Sequence, residues 1–250
     1  MDVAGSILEL ADSLLIPVIG FADTSSWDSD PIICASVPEE CRPLSIMPEA
    51  RSAIVIGIPV QYGAVITAPS LLYHELYKTS NTLLDSFALR FVLLLDRMGY
   101  KAIAIPRDGY QGIKSLIRDP SSFFSHKHAA YLAGLGTFGV NNTILTERYG
   151  PRIRFTTVLT DAVLPYGSPM DRQLCIECMR CTRECPKGAI GDRIYPDSKI
   201  DKVACTANSE ELLRKGISPC GRCIAVCPVG MDIMIPPTDK ALNNIKKYTV

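Results

Sequence analysis

Residues 175–186 read CIECMRCTRECP, and residues 220–228 read CGRCIAVCP. The first stretch spaces its thiols as Cys175-x2-Cys178-x2-Cys181-x3-Cys185-Pro186. The second is a shortened copy, Cys220-x2-Cys223-x3-Cys227-Pro228, with Cys205 alone upstream of it. Thiolates two residues apart can be gathered around one face of a metal centre by a single tight turn. A fourth thiolate, three residues further on and followed by proline, leaves that turn and points elsewhere. The chain has ten cysteines, and eight of them fall between positions 175 and 227. Without a secretory leader, such clustering signifies metal or redox chemistry rather than disulfides.

The spacing matches the bacterial ferredoxin run, in which the fourth cysteine ligates the other of two [4Fe–4S] clusters. It predicts one cluster on Cys175, Cys178, Cys181 and Cys227. A second is predicted on Cys185, Cys205, Cys220 and Cys223. Crossed ligation would hold the two within tunnelling range and implies one-electron chemistry. Structural zinc is the competing reading. Zinc sites usually use two separated CxxC pairs, without the third x2 step and the Cys-Pro endings. Cys34 and Cys41 lie in a loop-like stretch and read as small apolar fillers rather than ligands.

Working outward, residues 169–235 form a Cys-, Pro- and Gly-dense module with too little apolar content to fold without inorganic staples. Residues 236–250 read as a tail. Residues 1–168 interleave helical and strand patterns and predict an α/β or α+β layered domain. Helical spacing covers 2–14, 69–100 and 126–134. Apolar or alternating runs predict strands at 16–21, 53–60, 101–106 and 152–160. Residues 22–50, rich in Pro, Ser and Asp, read as a long surface connection.

The bulk numbers restrict function. Lys+Arg and Asp+Glu are both 26, so no global basic field points to nucleic acid. No apolar run reaches the roughly 18–20 residues of a membrane span. The N-terminus lacks the basic start of a secretory signal, and a cytoplasmic location is expected. There is no Walker loop and no strand-linked GxGxxG.

Residues 126–165, HKHAAYLAGLGTFGVNNTILTERYGPRIRFTTVLTDAVLP, add a further signal. Ala133-Gly134-Leu135-Gly136, Gly139, Asn141, Leu145, Gly150-Pro151-Arg152, Thr160-Asp161 and Leu164-Pro165 precede the cysteine run. This block resembles the one before the clusters in epoxyqueuosine reductases and corrinoid reductive dehalogenases. The resemblance covers about residues 126–230. It implies a nitroreductase-like domain that holds cobalamin, with the clusters beside it feeding electrons to the cobalt and through it to an organic substrate. Ala133, Gly134, Leu135, Gly136, Gly139 and Asn141 are then expected at the cofactor, where missing side chains let backbone approach a flat ligand. Arg152 and Arg154, on one face of a strand by its two-residue period, are expected to hold an anionic group. FMN is the lesser cofactor expectation.

The chain also departs from that pattern. Val140 stands where epoxyqueuosine reductases carry lysine. Their acidic residue with a following Ser/Thr-x-Pro has its nearest counterpart at Asp119, a candidate proton donor. Tyr110 is the other candidate acid, and Tyr131 a further tyrosine able to donate a proton. His126 and His128 sit two apart, so they should face different sides of a helix and be exposed. The reading that follows is an iron–sulfur reductase of unassigned substrate. The alternatives are an electron carrier for a partner protein and a cobalamin-handling protein. The expected partners are a low-potential donor such as a ferredoxin or flavodoxin, a small-molecule or tRNA-nucleoside substrate, and a second copy in a homodimer, with no membrane.

Overall fold

The computed structural model describes residues 2–108, 113–119, 122–230 and 239–246. In chain order the elements begin with α1 (Val3–Ser13), β1 (Val18–Asp23), the helical turns α2 (Pro31–Cys34) and α3 (Pro43–Ile46), and β2 (Ser52–Pro59). The turn α4 (Tyr62–Val65), the long helix α5 (Leu71–Arg97), β3 (Ala102–Ile105), α6 (Ile113–Arg118) and α7 (His126–Leu132) follow. The hairpin strands β4 (Thr137–Phe138) and β5 (Ile144–Leu145) lead to β6 (Ile153–Thr160). The cysteine-rich segment carries α8 (Arg180–Arg183), α9 (Lys202–Arg214) and α10 (Arg222–Ala225), and α11 (Asp239–Lys246) follows it.

Strand β2 is the hub. Its run AIVIGI is apolar at consecutive positions, which suits a strand covered on both faces. The four-stranded sheet has the order β1-β2-β6-β3, and every pairing is antiparallel. Successive side chains point to opposite faces. Ile54, Ile56 and Ile58 therefore meet α1 and α5 through Ile7, Leu84, Phe87 and Phe91. Ala53 and Val55 face the other way, toward α7 and the 22–50 segment. Interleaved helices and strands here make an α+β layer, since no parallel crossover pairs the strands.

Local chemistry explains the helix ends. The Asp2 carboxylate accepts from the N–H groups of Ala4 and Gly5 at the start of α1. The Ser70 hydroxyl accepts from the Tyr73 N–H at the start of α5. Gly99 adopts φ +84° just past the end of α5, a conformation that favours glycine.

Two expectations need correction. Residues 22–50 are not a surface connection: Trp27, Ile33, Val37 and Met47 from this segment are buried in the α7 face of the core. His126 and His128 are buried rather than exposed. The 236–250 stretch, expected as a tail, carries α11 among its described residues, which does not bear on that expectation. The cysteine-rich segment also reaches the main core, where Tyr195 stacks 4.5 Å from Phe138 and 5.5 Å from His128, centroid to centroid.

Candidate iron–sulfur site

The cysteines gather in two places. Cys175, Cys178, Cys181 and Cys227 line one cleft with Val140, Asn141 and Leu145 of the β4–β5 region. The loop between the first thiols turns tightly because Glu177 and Met179 take φ of 49° and 56°. The Cys227 thiol is pushed up to about 11 by burial, helped by Cys175 and Cys178 and opposed by the Val229 N–H and Arg152. The Cys223 thiol is pushed up by burial and then by Cys205, Cys220, Cys181 and Cys185. Thiols in such groups cannot ionise together unless a cation compensates them, as iron does.

Arg152 ties these groups to the sheet. Its side chain is fully buried. One guanidinium nitrogen donates to the carbonyls of Cys227 at 2.8 Å and Ile224 at 3.4 Å, and the other donates to Val229. Nε is buried without a hydrogen-bond partner. Its charge is set against Tyr62 and the Cys227 thiol, while burial pulls its pKa down. A buried cation among neutral carbonyls is costly unless an anion lies close. A thiolate-bound cluster supplies that negative charge, so the residues present fit one. Gly150 makes the contact close: a Cβ there would strike the Val229 carbonyl, and φ is +55°. His74 Nδ1 donates to the Ser218 carbonyl, which anchors the segment just before Cys220 to α5.

Backbone and side chains also fix the thiol loops. The Ala189 N–H lies 3.3 Å from the Cys185 sulfur. Asn141 Nδ2 reaches the Cys223 carbonyl at 3.5 Å. Gln173 Oε1 accepts from the Cys175 N–H at 2.9 Å and from the Thr137 hydroxyl at 2.6 Å. Arg152, expected to hold an anionic group of a cofactor or substrate, turns instead onto the carbonyls of the Cys227 loop.

The glycine block is filled by the chain itself. A Cβ at Gly134, which has φ +69°, would meet the Ser168 carbonyl, and one at Gly136 the Leu145 carbonyl. Ala133 and Leu135 pack on the α7 face of the core. Gly139 packs against Asn141 and Leu145, and Asn141 turns back to hold the Thr143 hydroxyl at 2.8 Å. Arg154 pairs with Asp108 at 3.2 Å and lies 4.2 Å over the Tyr77 ring. The groups expected at a corrinoid or flavin are therefore engaged internally in this arrangement.

Of the expected acids, Tyr110 lies outside the described residues. Asp119 is exposed and acts on Cys41, whose thiol is pushed up by burial, then by Glu40 and Asp119. Tyr131 packs against Phe138. His126 Nε2 donates to the Pro106 carbonyl at 2.9 Å, so Nδ1 accepts from the Thr157 hydroxyl at 2.8 Å. That neutral tautomer is enforced by burial, which lowers the pKa to about 4. Lys127 lies between His126 and His128 and donates to the Asn142 carbonyl at 2.8 Å. Burial lowers its pKa to about 8. It lines a cavity of about 450 Å³ together with Cys41, Tyr195 and Cys205.

Comparison with known proteins agrees with this chemistry. Residues 170–190 match the model of a 4Fe-4S binding domain. A tetrachloroethene reductive dehalogenase of Desulfitobacterium hafniense is 26% identical over 194 residues, covering 71% of this chain and 32% of the relative. An epoxyqueuosine reductase of Synechococcus sp. (strain RCC307) is 33% identical over 101 residues, covering 38% of this chain and 31% of the relative. A catabolic reductive dehalogenase solved with 3-bromo-4-hydroxybenzoic acid superposes with a TM-score of 0.69 at 23% identity, over 92% of this chain and 32% of that one. The epoxyqueuosine reductase from Streptococcus thermophilus gives 0.64 at 15% identity, over 96% of this chain and 69% of that one. Cysteine spacing and the matched domain define the class as iron–sulfur proteins. The chain is similar to both the reductive dehalogenases and the epoxyqueuosine reductases, in sequence and in fold. It spans about a third of the length of the curated relatives it matches. Among the described residues, no helix is long and apolar enough to cross a membrane.

Proposed function

We propose that this protein is an iron–sulfur oxidoreductase that moves single electrons through two [4Fe–4S] clusters toward a bound acceptor and an organic substrate. The sheet layer is read as its nitroreductase-like domain, and the cysteine-rich segment as a two-cluster ferredoxin-like module. One observation carries the reading. The first group of thiols, Cys175, Cys178, Cys181 and Cys227, closes at Cys227 on Arg152, a fully buried cation whose hydrogen-bond partners are all carbonyls. One cluster is assigned to Cys175, Cys178, Cys181 and Cys227, the other to Cys185, Cys205, Cys220 and Cys223.

When bound to these thiols, the iron–sulfur groups supply the one-electron chemistry. The chain's own residues set the conditions. Arg152 places positive charge behind Cys227 and holds that loop by three carbonyls. The Ala189 N–H aims at the Cys185 sulfur and favours charge there. Val140 and Leu145 wall the first cleft with apolar surface, which excludes water and leaves charge on the thiols poorly solvated. Val140 brings no cation to that wall.

Cobalamin is the first acceptor to test, because a structural relative is described as a reductive dehalogenase with B12-dependent dehalogenation. The glycine block and Arg154 are engaged with the chain itself in this structure. The test is the EPR spectrum of cob(II)alamin mixed with anaerobically purified, cluster-loaded protein. A shift to a base-off cobalt signal supports a corrinoid reductase. A free-cobalamin spectrum with both clusters intact removes the corrinoid. It leaves a flavin-type reductase or the second reading, an electron carrier or reductive activator. The filled glycine block favours that second reading.

A further inference from the structure

Electrons that leave through the clusters must first arrive. Arg180 and Arg183 lie on α8, which contains Cys181, and Arg222 lies on α10, which contains Cys223. All three arginines are exposed. They rim one open groove whose floor includes Ile66 from the turn after α4 and Leu212 from α9. Glu184 is the single acidic residue of that lining, and it faces Arg222 at 3.8 Å. The nearby carboxylates of α9 are already committed, Glu211 to Lys187 at 3.0 Å and Glu210 to Arg214 at 3.0 Å. Arg183 also donates to the Cys178 carbonyl at 3.1 Å. The groove is thus a positive rim around an apolar floor, against the two short helices that carry a cysteine of each group.

This local charge stands out in a chain whose formal net charge is zero. A basic rim with an apolar floor matches an acidic protein surface with an apolar centre. Its place identifies the kind of partner. Residues of the short turns that carry Cys181 and Cys223 line it, so a redox centre docked there lies against a turn of each thiol group. We propose that this groove is the electron-entry port, the docking surface for a small acidic one-electron donor protein. The proposal rests on the two-cluster reading above. In the transfer, a fully reduced flavodoxin, whose flavin is the anionic hydroquinone, gives up one electron and becomes its neutral semiquinone. One oxidised [4Fe–4S] cluster takes the electron and goes from the 2+ to the 1+ state, and no proton is exchanged.

The test is stopped-flow reduction of the full, cluster-loaded chain by an acidic flavodoxin hydroquinone across a range of salt concentrations. The variant is Arg180→Glu/Arg222→Glu. The control is Lys199→Glu/Lys202→Glu, which reverses the same charge at the far end of α9 from Leu212. Iron and sulfide content, and reduction by dithionite, check that each variant holds its clusters. Electrostatic steering changes association rates by roughly 10- to 1000-fold. The groove variant should therefore lose about 10-fold or more in second-order rate at low salt, with a flattened salt dependence. Its dithionite reduction should be unchanged, and the control should match the parent. Equal rates for the groove variant and the parent, with clusters intact, would overturn the port. Competition for the groove by an RNA stem-loop, with no effect of flavodoxin charge, would overturn it in favour of nucleic acid. A parent chain that takes up no iron or sulfide would instead remove the two-cluster reading itself.

Discussion

The sheet layer and the cysteine-rich segment are built on different principles. In the sheet layer, β2 is sandwiched between two apolar clusters, and large side chains such as Phe91, Leu84 and Trp27 are fully buried. That half is held by apolar burial. The segment after β6 buries far fewer large apolar side chains, Leu174, Ile190, Tyr195 and Ile217 among them. It depends on its thiols and on polar anchors from the sheet: Arg152, His74, Asn141 and Gln173. The difference teaches that one half is held chiefly by its own apolar core, while the other takes much of its shape from that core and from its thiols.

Iron removal should separate the halves most sharply. Chelation under reducing conditions should open residues 169–230 to proteolysis, while β2 and β6 keep their hydrogen-exchange protection. Loss of protection in both at once would break the comparison. Arg152→Met comes next, because it leaves three carbonyl acceptors without their donor and removes the charge behind Cys227. The expected cost is about 3–5 kcal/mol, read as a lower denaturation midpoint together with lost iron. A variant with full iron content and parental stability would show that the clamp is dispensable.

The third prediction concerns pH and the sheet half alone. His126 is held neutral in the folded state with a pKa near 4, below its ordinary value of about 6.5. A base whose folded pKa is depressed contributes stability above the unfolded pKa, and loses it as pH falls from about 6.5 toward 4. Stability should drop by about 3 kcal/mol across that window from this group, and less in a His126→Gln variant. Identical pH profiles for the two proteins would remove His126 as the cause. A last pair compares two glycines, both at positive φ, and ends on the smallest effect. Gly150→Ala meets the Val229 carbonyl and should cost about 2–4 kcal/mol. Gly188→Ala has open space around its new Cβ and should cost about 1 kcal/mol. Denaturant midpoints decide between them.

The sequence was most legible where one physical signal dominated. The apolar run of β2 and the long helical pattern ending at Gly99 both appear at their expected places. Cysteine spacing pointed to an iron–sulfur site because ligand geometry constrains spacing directly. The 22–50 stretch misled because Trp27, Ile33, Val37 and Met47 sit on single helical turns with no sustained period. His126 and His128 misled because a two-residue offset says nothing about a helix covered all round by Trp27, Phe124, Phe138 and Tyr195. The glycine block looked open because sequence does not reveal that Ser168 and Leu145 fill the space beside it.

The order of the sheet also has a consequence for biosynthesis. β6 lies between β2 and β3, yet it is the last of the four strands to be made. Until residue 160 leaves the ribosome, β2 and β3 each present an edge with no neighbour, the condition that invites wrong pairing. The nascent chain must therefore carry its earliest apolar strand unpaired on one side through about a hundred further residues of synthesis, a few seconds or more at ordinary elongation rates. The cysteine-rich segment emerges only after that gap has closed, onto a sheet already able to receive it.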